Sequence, residues 1–263
     1  MDNTHPKISV VIPLYNKEKT IKKTIQSVLD QDFKDFELIV VNDGSKDKSA
    51  TVVQSIDDSR IRLIDKPNGG VSSARNRGIV EAKSDYIAFL DADDYWLPNH
   101  LTEINNLIEE YGDRCSVFTT NFTREFSDGT SFPSRNDLKK GQISNYFKTI
   151  CKGAIIHSSS VAIKKEALLH IGMFNENYTH GEDIDLWNRL ARKYEVAYSP
   201  DPSSIYRITN EGSVLTMNYD REAAKNALKG VSTNPHDLYL SCKRYLFYCI
   251  KRLINYKPQV RKP

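Results

Sequence analysis

Four short runs of β-branched, aliphatic and aromatic residues punctuate the first third of the chain: Ile8–Ile12, Phe36–Val41, Ile61–Ile64 and Tyr86–Leu90. Each ends in polar or turn-forming residues, as buried strands do. Between them, apolar positions recur at helical spacing. Ile21, Ile25, Val28 and Leu29 follow the first run, Val52, Val53 and Ile56 the second, and Val71, Ala74, Gly78 and Ile79 the third. Strands alternating with helices predict a parallel sheet with helices on its faces, because right-handed crossovers leave few other arrangements.

Beyond residue 112 the alternation loosens. Cys115–Phe126 reads as one long strand turning at Asp128-Gly129, and the polar stretch 127–142 as a loop. Ser159–Ile163 predicts a strand, Lys165–Ile171 a short helix, and Val196–Tyr198 another strand. A helix over Asp183–Lys193 would carry Leu186, Trp187 and Leu190 on one face. The expected organisation is a domain over 1–215, its halves about 1–112 and 113–215, with a helical extension over 216–263. Within that extension, residues 236–263 hold seven basic residues against the single acid Asp237, beside an apolar stripe of Leu238, Cys242, Tyr245, Leu246, Cys249 and Leu253. A basic amphipathic helix of this kind either lies on an anionic membrane surface or docks on the core.

The 263 residues are 39% hydrophobic and 27% charged, the balance of a soluble globular chain. A net charge of +3 is too small to signal a nucleic-acid partner. The four cysteines form no C-x-x-C pair, and MDNTHPK followed by an apolar run that ends at Pro13 does not resemble a leader. A cytoplasmic protein, peripheral on the inner face of the membrane, is the expectation.

Ligands of such sheets bind at the carboxyl ends of the strands. There the sequence places Pro13-Leu14-Tyr15-Asn16, Asn42-Asp43-Gly44-Ser45, Lys66-Pro67-Asn68-Gly69-Gly70 and Asp91-Ala92-Asp93-Asp94. Asp91 and Asp93 share a side for as long as the chain stays extended. Three carboxylates in a partly desolvated crevice repel one another, and a hard divalent cation such as Mg²⁺ or Mn²⁺ would relieve them.

The segments VIPLYN, VVNDGS, GGVSSARNRG, YIAFLDADDYWLP and HGEDIDLWNRL, in this order, resemble the family 2 glycosyltransferases, from about Lys7 to about Arg207. The resemblance implies a GT-A fold: a Rossmann-like, mixed, mainly parallel sheet flanked by helices. It also implies an inverting, metal-dependent transfer of sugar from a nucleotide donor, a UDP-sugar above all, to a glycan or lipid-linked acceptor. Carried over by position, Pro13 and Tyr15 flank the base, Asp43 bonds it, and Arg75 stands near base or phosphate. Asp91 lies near the ribose, Asp93 binds the metal, and Asp94 supports them. Asp183 resembles the catalytic base, with Glu182 the alternative. A histidine common in relatives after Tyr206-Arg207 is replaced by Asn210, and His180 is a candidate for facing the acceptor.

Two other nucleotide-binding chemistries are excluded. No glycine occurs in Pro13–Glu18, where a dinucleotide fingerprint would lie, and no P-loop is present. A non-catalytic carbohydrate- or partner-binding protein that kept the fold is the alternative from a different class.

Overall fold

The computed structural model describes residues 5–179 and 181–208. In chain order the elements are β1 (Ile8–Leu14), α1 (Ile21–Leu29), β2 (Phe36–Asn42), α2 (Ser49–Gln54), β3 (Ile61–Asp65) and α3 (Val71–Glu81). Next come β4 (Tyr86–Phe89), β5 (Tyr95–Trp96), α4 (His100–Tyr111), β6 (Cys115–Phe126), β7 (Ser131–Pro133), β8 (Gly141–Gln142) and α5 (Tyr146–Ile150). A 3-10 turn at Ser158–Ser160 precedes β9 (Val161–Lys164), α6 (Lys165–His170), α7 (Glu182–Ala191) and β10 (Glu195–Ile208).

The strands join one open sheet in the order β3-β2-β1-β4-β9-β6-β10-β5, with β7 beside β6 and β8 beside β10. The first four are parallel. β9 is antiparallel to both β4 and β6, while β10 runs parallel to β6. Alternate residues of β1 divide between two cores. Ile8, Val10 and Ile12 pack with α1, α2 and α4, and Val11 packs with α3, α6 and α7. Both faces are thus covered, as the alternation of strands and helices predicts. Among the described residues no helix is long and apolar enough to cross a membrane.

Several boundaries differ from the sequence reading. The polar 127–142 stretch contains β7 and β8, short edge strands recruited by neighbours. Ser159 and Ser160 belong to the 3-10 turn, so that strand begins at Val161. β10 is far longer than Val196–Tyr198; its register shifts between Ser199 and Ser204, around Pro200 and Pro202, whose missing N–H groups hid the continuation. Pro13 is tolerated inside β1 for a related reason. Val11 C=O accepts from Leu90 N–H, so Pro13, two residues on, faces the same side beyond the last β1–β4 pair. His180, Asn210, Cys242, Cys249 and the whole 216–263 extension lie outside the described residues.

Candidate active site

β1, β2 and β3 end level, Leu14 pairing with Asn42 and Asn42 with Asp65, so their loops gather at one edge. The first two loops are laced together. Asn16 N–H donates to Ser45 Oγ (3.1 Å), Lys46 N–H to Asn16 Oδ1 (2.8 Å) and Lys17 N–H to Ser49 Oγ (2.8 Å). Asn16 sits at φ 51°, a left-handed conformation asparagine tolerates. The neighbouring Tyr15 is 46% exposed, which leaves its ring free to stack.

Asp43 is buried at the end of β2 and accepts from Gly69 N–H on Oδ1 (2.9 Å) and Gly70 N–H on Oδ2 (2.8 Å), with the Lys66 ammonium also on Oδ1. It therefore shapes the Gly69-Gly70 turn that starts α3. Two carboxylate oxygens offer about four acceptor directions, so capacity for a further donor remains.

The acidic segment is not extended. Asp94 N–H bonds back to Asp91 C=O (3.0 Å), closing a turn that sends the three carboxylates in different directions. Asp91 meets Arg75 Nη2 at 2.7 Å, and Asp93 meets Lys17 Nζ at 2.5 Å. Asp94 turns inward, where Ser159 Oγ–H donates to Oδ2 and Arg207 N–H to Oδ1 (2.9 Å). Burial, followed by the charges of Asp93 and Asp91, pushes the Asp94 carboxyl well above the usual range. Burial also opposes ionisation of Asp91, but Arg75, His157 and Lys17 outweigh it and hold that carboxyl low.

His157 faces the same turn. Its ring lies between Phe122 (5.1 Å between centroids) and Tyr206 (4.3 Å), and Nδ1 accepts Ser159 N–H at 3.1 Å. Burial pulls this imidazole below its ordinary value, towards neutrality. The ligating atoms of Asp91, Asp94 and His157 lie within 4.8 Å of one another. The carboxylates suit a hard divalent ion, and the imidazole favours Mn²⁺ over Mg²⁺. A buried Asp94 crowded by two like charges is the environment a cation relieves, so these residues fit one. Asp93 stands outside this trio.

On the other side of Arg75, Gly181 takes φ 76° and turns the chain into α7, whose first turn carries Glu182, Asp183 and Asp185. Acids are favourable there because they face the positive end of the helix. Leu186, Trp187 and Leu190 anchor the helix in the core, as their spacing predicts. Glu182 accepts from Arg75 Nη1 at 3.0 Å. Asp183 Oδ1 accepts Ile184 N–H (2.7 Å), and burial followed by Glu182 raises its carboxyl above the ordinary value, against the pull of Arg75. Arg75 itself is 3% exposed, and its two acids keep it charged despite burial.

The structure therefore gathers Asp91, Glu182 and Asp183 around the Arg75 guanidinium, joined by His157 and Lys17, whose part in the cluster the sequence did not reveal. The only available signals were Lys17 next to the YN turn and His157 heading a serine run.

The sequence profile of Glycosyl transferase family 2 matches residues 9–173, well over half of the chain. The chain belongs to this family. This family 2 glycosyltransferase is 32% identical over 203 residues to an uncharacterized glycosyltransferase of Rickettsia typhi, covering 74% of the chain and 62% of that protein. It is 30% identical over 237 residues to the Campylobacter jejuni GalNAc(5)-diNAcBac-PP-undecaprenol beta-1,3-glucosyltransferase, covering 85% of the chain and 70% of that protein. The chain spans less than two thirds of the length of the Rickettsia relatives it matches, down to 28% for one from Rickettsia bellii. Among solved structures, S. aureus TarS 1–349 in complex with UDP-GlcNAc superposes with a TM-score of 0.74 at 19% identity, covering 95% of the chain and 73% of TarS 1–349. The family 2 chain thus has the mixed, mainly parallel GT-A sheet that its motifs imply.

Proposed function

We propose that the chain is an inverting glycosyltransferase that moves a sugar from a nucleoside-diphosphate donor, a UDP-sugar, to a hydroxyl of a glycan or lipid-linked acceptor. Surface polysaccharide or glycoconjugate synthesis is the setting that follows, at the cytoplasmic face of a membrane, with 236–263 as the membrane-touching segment. The donor class agrees with the UDP-GlcNAc in the TarS complex, and the acceptor class with the undecaprenol in the name of the Campylobacter jejuni relative.

The observation that carries the reading is a carboxylate pair with divided roles at the start of α7. Glu182 is committed to buried Arg75, whereas Asp183 is raised by burial and by Glu182. A base must be able to take a proton, and a carboxyl raised above the usual range does so more readily. Asp183 is therefore assigned as the base that takes the acceptor hydroxyl proton while that oxygen attacks the anomeric carbon opposite the diphosphate. Tyr15 and Pro13 would flank the base of the nucleotide, Asp43 would accept from it, and Asp91 would meet the ribose. Asp91, Asp94 and His157, with Asp93 beside them, would hold Mn²⁺ or Mg²⁺. Such an ion supplies charge neutralisation to the departing diphosphate.

A screen of UDP-glucose, UDP-galactose, UDP-GlcNAc and UDP-GalNAc for Mn²⁺-dependent release of UDP tests the reaction without an acceptor. Asp183→Asn is expected to keep UDP binding and to lose about a hundred- to ten-thousandfold in turnover. Near-normal turnover by that variant overturns the base assignment. Absence of any metal-dependent UDP binding in the wild type favours the non-catalytic binder instead.

A further inference from the structure

Arg75 stands between the acidic turn after β4 and the first residue of α7, groups separated by 16 and 107 positions in sequence from it. Nη2 donates to Asp91 Oδ1 at 2.7 Å and Nη1 to Glu182 Oε1 at 3.0 Å. The guanidinium carbon lies 5.1 Å from the centroid of the Phe174 ring. Phe174 is in turn wedged edge-on against Phe89 (5.4 Å) and Trp187 (6.0 Å), and its backbone is bonded in both directions by Asn76 of α3. α3 cannot drift, because it is seated on β1 so closely that a Cβ on Gly78 would come within 2.3 Å of Val11 Cγ1. The fork is thus held by elements from both halves of the domain. A nucleotide contact, the role the resemblance gives this residue, would leave the pairing with Glu182 unexplained.

We propose that Arg75 is a positioning residue that fixes Glu182, and through it the adjacent Asp183, at a set distance from the turn that receives the donor diphosphate. This rests on the transferase reading above. A planar guanidinium can hold one carboxylate with each terminal nitrogen, which a single ammonium does not reproduce. Misplacing a reacting group by about 1 Å can cost roughly a hundredfold. Charge accompanies this geometry: burial and then Glu182 raise the Asp183 carboxyl, and Arg75 is foremost among the groups that lower it.

The test uses Arg75→Lys, Arg75→Met, Glu182→Gln and Asp183→Asn, with the UDP-sugar that yields UDP fastest in the screen. Turnover is followed against pH, and the Asp183 carboxyl is titrated by ¹³C NMR, assigned by its loss in Asp183→Asn. Arg75→Lys keeps the charge and loses the fork, so kcat should fall roughly ten- to a hundredfold while the acid limb of the pH profile stays put. Arg75→Met should move that limb, and the ¹³C titration, up by about one pH unit, and Glu182→Gln should move both down. Glu182→Gln should lower kcat with donor KM unchanged, since Arg75 keeps Asp91. The Arg75→Met/Glu182→Gln double variant should be no slower than Arg75→Met alone, as for two members of one unit. Identical pH limbs in all variants, or fully additive losses, overturn the positioning role. If Arg75→Met fails to fold, Arg75→Lys and Glu182→Gln decide alone. Failure of this proposal leaves Asp183→Asn dead, whereas an active Asp183→Asn sinks the reading it rests on.

Discussion

Asp43 shows how a single side chain can belong to the fold and to the site together. Its carboxylate takes two backbone N–H groups of the Gly69-Gly70 turn and the Lys66 ammonium, while its C=O accepts Asn68 Nδ2 at 2.8 Å. In Asp43→Asn, either orientation of the amide points an NH₂ at a group that can only donate. Facing a part-buried donor with another donor costs at most about 1–3 kcal/mol, which for a chain of this size is at most about 2–12 °C in Tm. Calorimetry should show that loss, and titration with UDP should show at least tenfold weaker binding. Unchanged values for both would detach Asp43 from turn and nucleotide alike. Asp43, Asp91 and Asp183 could be singled out in the sequence because each lies in a motif at a strand or helix end, and Arg75, mid-way along α3, through the family resemblance. Their partners could not. Which donor satisfies Asp43, or which acid Arg75 chooses, depends on rotamers and on approach between segments far apart in the chain. Asp91 and Asp93 illustrate the limit: an extended chain would align their side chains, but the turn closed by Asp94 N–H on Asp91 C=O sends Asp91 to Arg75 and Asp93 to Lys17.

At the scale of elements, α3 bears on the start of the site because of how it sits on β1. Gly78 is placed where any side chain would strike Val11, whose own Cβ would stand 3.2 Å away and whose strand is hemmed between β2 and β4. Gly78→Ala gains about 1 kcal/mol of helix propensity. Overpacking costs about 1–3 kcal/mol, so the clash wins at such short approach, and α3 is pushed off the sheet with Arg75 one turn away. The variant should melt lower and turn over more slowly, and adding Val11→Ala should restore part of both. Melting curves of the double variant no better than the sum of the singles would show that the contact is not the cause. The helices and parallel strands on this side were readable because amphipathic spacing and buried runs are local signals. β5, β7 and β8 were not, since a strand of two or three residues has no period to detect, and β10 hid behind two prolines. The antiparallel insertion of β9 is a property of the assembled sheet, invisible to any window along the chain.

At the scale of the whole molecule, the acidic turn rests on a buried relay that reaches the far edge of the sheet. Ser159 Oγ–H bonds Asp94 and accepts Asp91 N–H, while Ser159 C=O accepts Trp96 Nε1–H (2.6 Å) and Ser204 Oγ–H (2.6 Å). Trp96 is stacked at 4.3 Å on His100 of α4, which is wholly buried and bonds Ser203 through Nδ1 at 3.0 Å. Burial pulls the His100 imidazole down to about 3. The unfolded chain protonates this group near 6.5 and the folded one does not, so unfolding takes up a proton and stability falls as pH drops below 6.5. The slope is about 1.4 kcal/mol per pH unit, or about 2 kcal/mol lost by pH 5. Asp94 works in the opposite sense, because its raised carboxyl binds a proton in the folded state that the unfolded state gives up. The total acid profile is therefore a difference, and only a comparison isolates His100. His100→Gln keeps a polar partner for Ser203 and removes the titration, so at pH 7 it should be the less stable protein for want of the ring on Trp96. In urea unfolding at pH 7, 6 and 5 the gap to wild type should then close by about 2 kcal/mol. A gap that stays constant would mean that His100 titrates as an exposed imidazole does, and that the support beneath the acidic turn is not the dry stack described.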